Sequence, residues 1–136
     1  MSPSFIKATT VSKKKETDEN IDDLISIANE IDKLMDKENF YLDPDLTILS
    51  LSEKTGLPHY LISKAINRIK ECNFHTYINK YRVEEVKKLL TDPENSKRFT
   101  LLALALDSGF KSKSAFNDIF KKFTGLTPTE FKKENL

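Results

Sequence analysis

Apolar residues recur every three or four positions through most of the chain, the period of helices with one buried face. The first such stripe is Ile21, Leu24, Ile25, Ala28, Ile31 and Met35. Asn20 stands where a cap belongs, and Asp22 and Asp23 follow in the first turn, where carboxylates complement the helix dipole. The pattern predicts a helix over residues 20–37. Residues 1–19 show no such period and are rich in Ser, Thr and Lys, so a disordered tail is expected there. Phe40-Tyr41-Leu42-Asp43-Pro44-Asp45 reads as a connector, because the residue before a proline is pushed out of helical geometry.

Beyond Leu46 the stripes are short and the punctuation is dense. Thr47 is placed to cap a helix over 48–55, which Gly56 ends as a left-handed terminator. A second helix begins near Pro58 or His59 and reaches Ile69. Asn73 caps a longer helix over 74–90, closed by Asp92-Pro93. Thr100 caps 101–108, Gly109 ends it, and another helix is expected over 113–123. Thr127-Pro128-Thr129-Glu130 has the spacing of a capping box with proline at the first helical position, which puts Phe131 in a last helical turn. No segment alternates as a strand does, so the fold class expected is all-α.

Part of this pattern occurs twice. Thr47, Leu49, Leu51, Ser52, Gly56 and Leu57 align, 53 residues on, with Thr100, Leu102, Leu104, Ala105, Gly109 and Phe110. With an offset of 54, Ile62, Ile66 and Arg68 then align with Phe116, Phe120 and Lys122. Each unit is cap, short helix, glycine turn, second helix, which is the signature of a helix-turn-helix whose second helix can enter a DNA major groove.

The faces of the two second helices carry the functional signal. In the first, Ile62, Ala65, Ile66 and Ile69 form the stripe expected to be buried. Tyr60, Ser63, Lys64 and Asn67, at i, i+3, i+4 and i+7, share the opposite face. In the second, Phe116, Ile119, Phe120 and Phe123 are expected inside. Lys113, Asn117 and Lys121 lie one turn apart outside, with Ser114 and Asp118 beside them. Donors and acceptors of this kind are what base edges require.

Composition narrows the class further. Only 3 glycines and 5 prolines stand among 136 residues, too few for the many turns of a β-sandwich. The net charge of +1 is divided unevenly. Residues 1–45 hold 6 Lys/Arg against 11 Asp/Glu, whereas residues 46–136 hold 16 against 10. A polyanion is therefore sought on the later part. Cys72 is the single cysteine, which excludes an internal disulfide and suits a reducing compartment. The sequence contains neither an apolar run of membrane-spanning length nor a secretory signal in its first twenty residues.

Ser108-Gly109-Phe110, Ser112, Ser114, Phe116, Phe120-Lys121, Gly125, Thr127-Pro128 and Phe131 together resemble the pattern of the C-terminal DNA-binding domain of AraC/XylS-family transcriptional regulators. Residues 41–47 and 74–85 are similar to its Bacteroidetes-type version, and the resemblance covers residues 41–133. It implies two helix-turn-helix subdomains joined by one long linker helix, here 74–90, with an extra N-terminal helix. The division expected is 1–19 tail, 20–38 N-terminal helix, 39–72 first subdomain, 73–91 linker helix and 92–136 second subdomain. Seventeen helical residues span about 25 Å, a length suited to holding recognition helices 58–69 and 112–123 in successive major grooves about 34 Å apart. Carried over by position, the base-reading residues would be Tyr60, Ser63, Lys64 and Asn67, then Lys113, Ser114, Asn117 and Asp118. Phosphates would be held near Thr47 and Thr100 and by Arg68, Lys111 and Lys121. One departure is Asp118, where the family often carries Arg. A carboxylate there accepts from a cytosine amine, loosens the docking or turns aside to a neighbouring base, and the last two are preferred.

The resemblance implies double-stranded DNA as partner and transcription regulation, in the cytoplasm, as the role. RNA polymerase, a homodimer partner and a sensor domain outside this chain are the further partners it admits, the chain being either a bare regulator or the cytosolic end of a longer, membrane-anchored protein. No enzymatic activity, cofactor or metal is expected. Cys72 and His75 have metal-like spacing, but His59 is the one other histidine and a site needs three or four ligands. Arg82, near Glu84 and Glu85, reads as an internal tie, and Phe74, Tyr77 and Tyr81 as core. The alternative is a protein-interaction module on the same scaffold, with Leu24, Ile27, Ile31 and Leu34 as its docking face.

Overall fold

The computed structural model describes residues 20–135, and over that span it is all-α, with eight α-helices and no strand. The tail expected over 1–19 lies outside the described residues. Helix α1 is Asn20–Glu38. It buries Leu24, Ile27, Ala28, Ile31 and Met35. Ile25, expected in that stripe, is 40% exposed. It sits about 100° around the helix from Leu24, so Ile27 and Ala28 continue the buried face instead. A 3-10 turn, Phe40–Leu42, follows.

Helix α2 is Ile48–Thr55, held at its start by a reciprocal box in which Ser50 N–H donates to Thr47 Oγ1 (3.0 Å) and Thr47 N–H to Ser50 Oγ (2.9 Å). Gly56 ends it at φ +81°. Helix α3, His59–Ala65, runs into a π turn, Ile66–Lys70, which Glu71 closes at φ +60°. α1 packs on α3 and on that turn, and of the suggested docking face Leu24, Ile27 and Ile31 are buried and Leu34 is half-buried. Lys70 Nζ (2.5 Å) and Tyr77 Oη (2.5 Å) both donate to the Asp32 carboxylate of α1.

Helix α4 is Phe74–Leu90, capped by Asn73, whose Oδ1 accepts from Thr76 N–H at 2.8 Å. Tyr77 is buried and Phe74 and Tyr81 are half-buried. Asp92-Pro93 does more than close this helix. Asp92 accepts from Glu94 N–H (3.0 Å) and caps a short helix α5, Pro93–Arg98, with proline at the position where its missing N–H costs nothing.

Helices α6 (Leu101–Asp107) and α7 (Lys113–Thr124) start at Thr100 and Ser112, whose hydroxyls accept from Ala103 N–H (3.0 Å) and Ala115 N–H (3.1 Å). Helix α8, Pro128–Asn135, extends past the single turn expected, and its capping box is formed in both directions. The repeat is visible bond for bond. Thr55 Oγ1 donates to Leu51 O (2.9 Å), and 53 residues on Ser108 Oγ donates to Leu104 O (2.8 Å). Leu51, Leu57, Leu104 and Phe110 are all buried.

The contacts define two compact units. One holds α1, Phe40 and Leu46–Tyr77; the other holds Tyr41–Asp45 and everything from Ile78 onward. α4 gives its first turn to the first unit and the rest to the second. The second core is Val83, Val86, Leu90, Leu104, Ala105, Phe110, Phe116 and Phe120. Successive rings, Phe110–Phe116, Phe116–Phe120 and Phe120–Phe131, lie 5.3–5.6 Å apart. Phe123, expected inside, is 38% exposed, and it is Phe131 of α8 that packs edge to face on Phe120.

Candidate nucleic-acid interface

In the first unit the helix-turn-helix is α2, the Gly56 turn and α3 with its π turn. Leu61, Ile62, Ala65 and Ile66 anchor the second helix. Tyr60 stands 52% exposed, Ser63 and Lys64 are half-exposed, and Asn67 and Arg68 are exposed. The π turn alters one expectation. Asn67 and Arg68 lie on it, so Asn67 does not follow Tyr60 and Lys64 at α-helical spacing; the wider turn re-aims the end of the helix. Thr47 is exposed at the start of α2, and its hydroxyl is engaged in the cap.

In the second unit Phe116 and Phe120 fix α7, and Lys113, Ser114, Asn117, Asp118 and Lys121 are all exposed. Thr100, Lys113 and Asn117 are brought to one open cleft of about 300 Å³, with Leu101, Leu102, Phe116 and Thr129 completing its wall. The start of α6 and the outer face of α7 therefore meet one space. Leu102 and Thr129 are members that residue spacing on α7 alone does not reveal. Among the described residues Asp118 makes no ion pair.

Lys111, one residue before the Ser112 cap, pairs with Asp45 at 3.1 Å. Arg82 is an internal tie, but not to Glu84 or Glu85. Its Nε donates to Tyr41 O (2.7 Å) and its terminal nitrogen to Asp43 O (2.8 Å). Burial pulls its pKa down from the usual guanidinium value, and the Asp43 charge opposes that pull. Tyr41 stacks on Tyr81 with centroids 5.4 Å apart and donates from its hydroxyl to Glu85 at 3.3 Å. Among the described residues no three His, Cys, Asp or Glu side chains gather as metal ligands, and no helix is long and apolar enough to cross a membrane.

Two short-helix units of this geometry, each with an exposed polar second helix, define the helix-turn-helix class. The helix-turn-helix domain family model matches residues 51–134. An uncharacterised helix-turn-helix-type transcriptional regulator of Staphylococcus aureus is 30% identical over 109 residues, 79% of this chain and 14% of that protein. The melibiose operon regulatory protein of Escherichia coli is 31% identical over 96 residues, 71% of this chain and 30% of that protein. The chain thus spans well under half the length of these relatives. Among solved structures, the C-terminal domain of the two-component response regulator yesN from Fusobacterium nucleatum matches with a TM-score of 0.62 at 26% identity, covering 76% of this chain and 98% of that one. The C-terminal domain of AraT, a response regulator from Geobacillus stearothermophilus, shares the fold at a TM-score of 0.61 and 20% identity, over 98% of this chain and 86% of that one. The chain belongs to the AraC-type helix-turn-helix family of transcriptional regulators.

Proposed function

We propose that this chain binds double-stranded DNA sequence-specifically and regulates transcription, with the helices over 58–69 and 112–123 entering successive major grooves. The observation that carries this reading is the duplication itself: two capped, glycine-turned units, each presenting an outward Lys and Asn on its second helix or on the π turn that continues it. Tyr60, Ser63, Lys64 and Asn67 read bases in one groove, and Lys113, Ser114, Asn117 and Asp118 in the next. Asp118 accepts from a donor on the DNA, such as a cytosine amine, or leaves the second contact looser. Thr47, Arg68, Thr100, Lys111 and Lys121 face phosphates. The relatives named as a helix-turn-helix-type transcriptional regulator and an operon regulatory protein support the same role, for which the cytoplasm is the expected compartment and RNA polymerase, a second copy and a sensor domain are the partners to seek.

Selection from a random-DNA pool, followed by footprinting, tests the reading. The expected result is two protected stretches about one helical turn apart, and affinity falling steeply with salt, by about 0.9 in log–log slope per neutralised phosphate. A flat salt dependence, or failure to enrich any sequence, overturns it.

A further inference from the structure

Tyr41–Asp45 belongs to the second unit although both its chain neighbours, Phe40 and Leu46, belong to the first. This strap is fastened along its length. Arg82 of α4 holds the carbonyls of Tyr41 and Asp43, and Tyr81 stacks on the Tyr41 ring. Asp43 turns the chain by accepting from Asp45 N–H at 2.9 Å, and Pro44 restricts the backbone between them. The fastening delivers the Asp45 carboxylate to Lys111 Nζ, at 3.1 Å. Lys111 lies in the turn between α6 and α7, just ahead of the N-terminus of the second recognition helix.

We propose that Asp45 is an electrostatic brake on DNA binding: its carboxylate occupies the Lys111 ammonium that would otherwise neutralise a phosphate. This rests on the reading of Lys111 as a phosphate contact. Both side chains are largely exposed, at 67% and 76%, so the pair is open to exchange rather than locked in the core. In the free protein Lys111 bonds to Asp45. On the duplex it must leave that partner or share it with a phosphate, and either way part of its contribution to affinity is lost. The strap makes the brake adjustable, since anything that lifts Tyr41–Asp45 from the second unit removes the carboxylate from Lys111.

The test is anisotropy of a labelled random-sequence duplex titrated with the whole chain across a potassium chloride series. Four proteins are compared: wild type, D45N, K111Q and the double variant. The brake predicts that D45N tightens binding about two- to fivefold at low salt, the range expected for an exposed ion pair, and steepens the salt slope by up to about 0.9. It also predicts that D45N changes nothing once Lys111 is replaced by glutamine. Unchanged binding by D45N overturns the brake while leaving DNA binding intact. Equal tightening with and without Lys111 also overturns it, because a carboxylate that merely repels DNA acts through no particular lysine. If wild type shows no salt-dependent binding, the brake and the function it rests on fall together.

Discussion

Gly56 and Gly109 occupy equivalent places in the repeat and both have positive φ, +81° and +101°. Their surroundings differ. A Cβ on Gly56 would meet nothing within 4 Å, whereas one on Gly109 would clash with the Tyr41 carbonyl oxygen and stand 2.8 Å from Arg82 Nε. Gly56→Ala therefore carries only the left-handed backbone penalty, about 1–2 kcal/mol. Gly109→Ala carries that penalty and must also displace the strap and its Arg82 bonds, so it is expected to lose distinctly more. Urea unfolding of the two variants measures the difference, and equal losses would show that the close approach is not strained. Both glycines are legible in the sequence as turn residues. The contact that separates them is not, because it joins residues 68 positions apart, and no local pattern encodes such a pairing. Arg82 is similar: the family resemblance implies an internal role for it, but its partners are backbone carbonyls, which leave no trace in residue types.

The helices, by contrast, are largely legible, because caps are local chemistry. Thr47, Asn73, Thr100 and Thr127 each stand where their hydrogen bonds are found. The box at the start of α8 has a pH signature. Accepting the Thr127 backbone N–H, and with Lys121 near, Glu130 is held below the usual carboxylate range. A carboxylate whose folded pKa is depressed stabilises above its unfolded pKa, and that contribution is lost as pH falls through the folded value. The first turn of α8 is therefore expected to fray on acidification through and below the ordinary carboxylate range, and Glu130→Gln to remove that pH dependence. Amide shifts of Thr127 and Glu130 across an acid titration check this. Two elements escaped the periodicity. α5 is too short to show a stripe, although Asp92-Pro93-Glu94 is a complete start signal, and the π turn at Ile66–Lys70 preserves apolar spacing well enough to pass for α-helix.

For the whole molecule, the proposed DNA contact of the basic later part makes a prediction about energy. Lys64→Ala or Asn67→Ala is expected to weaken the selected site by about 1–3 kcal/mol while leaving non-cognate DNA less affected, since a base contact discriminates and a phosphate contact does not. Asn117→Ala tests the second helix in the same way, and losses from the two units should add to within about 0.5 kcal/mol if the sites are independent. Gel-shift titrations on cognate and random duplexes measure both. If none of the three substitutions changes specificity, these faces do not read bases.

The sequence by itself determined where most of the helices start and stop, that one unit is repeated, and which sides of the second helices of the two units are polar, because caps, glycine terminators and apolar periodicity act over a few residues. The tertiary structure alone decided that Phe131 packs on Phe120 in the second core while Phe123 stays 38% exposed. It alone carried Tyr41–Asp45 into the second unit, and so brought a carboxylate to Lys111. Those outcomes depend on which surfaces meet after the chain has folded back on itself, and packing and ion pairing between distant residues obey distance in space, not spacing along the chain.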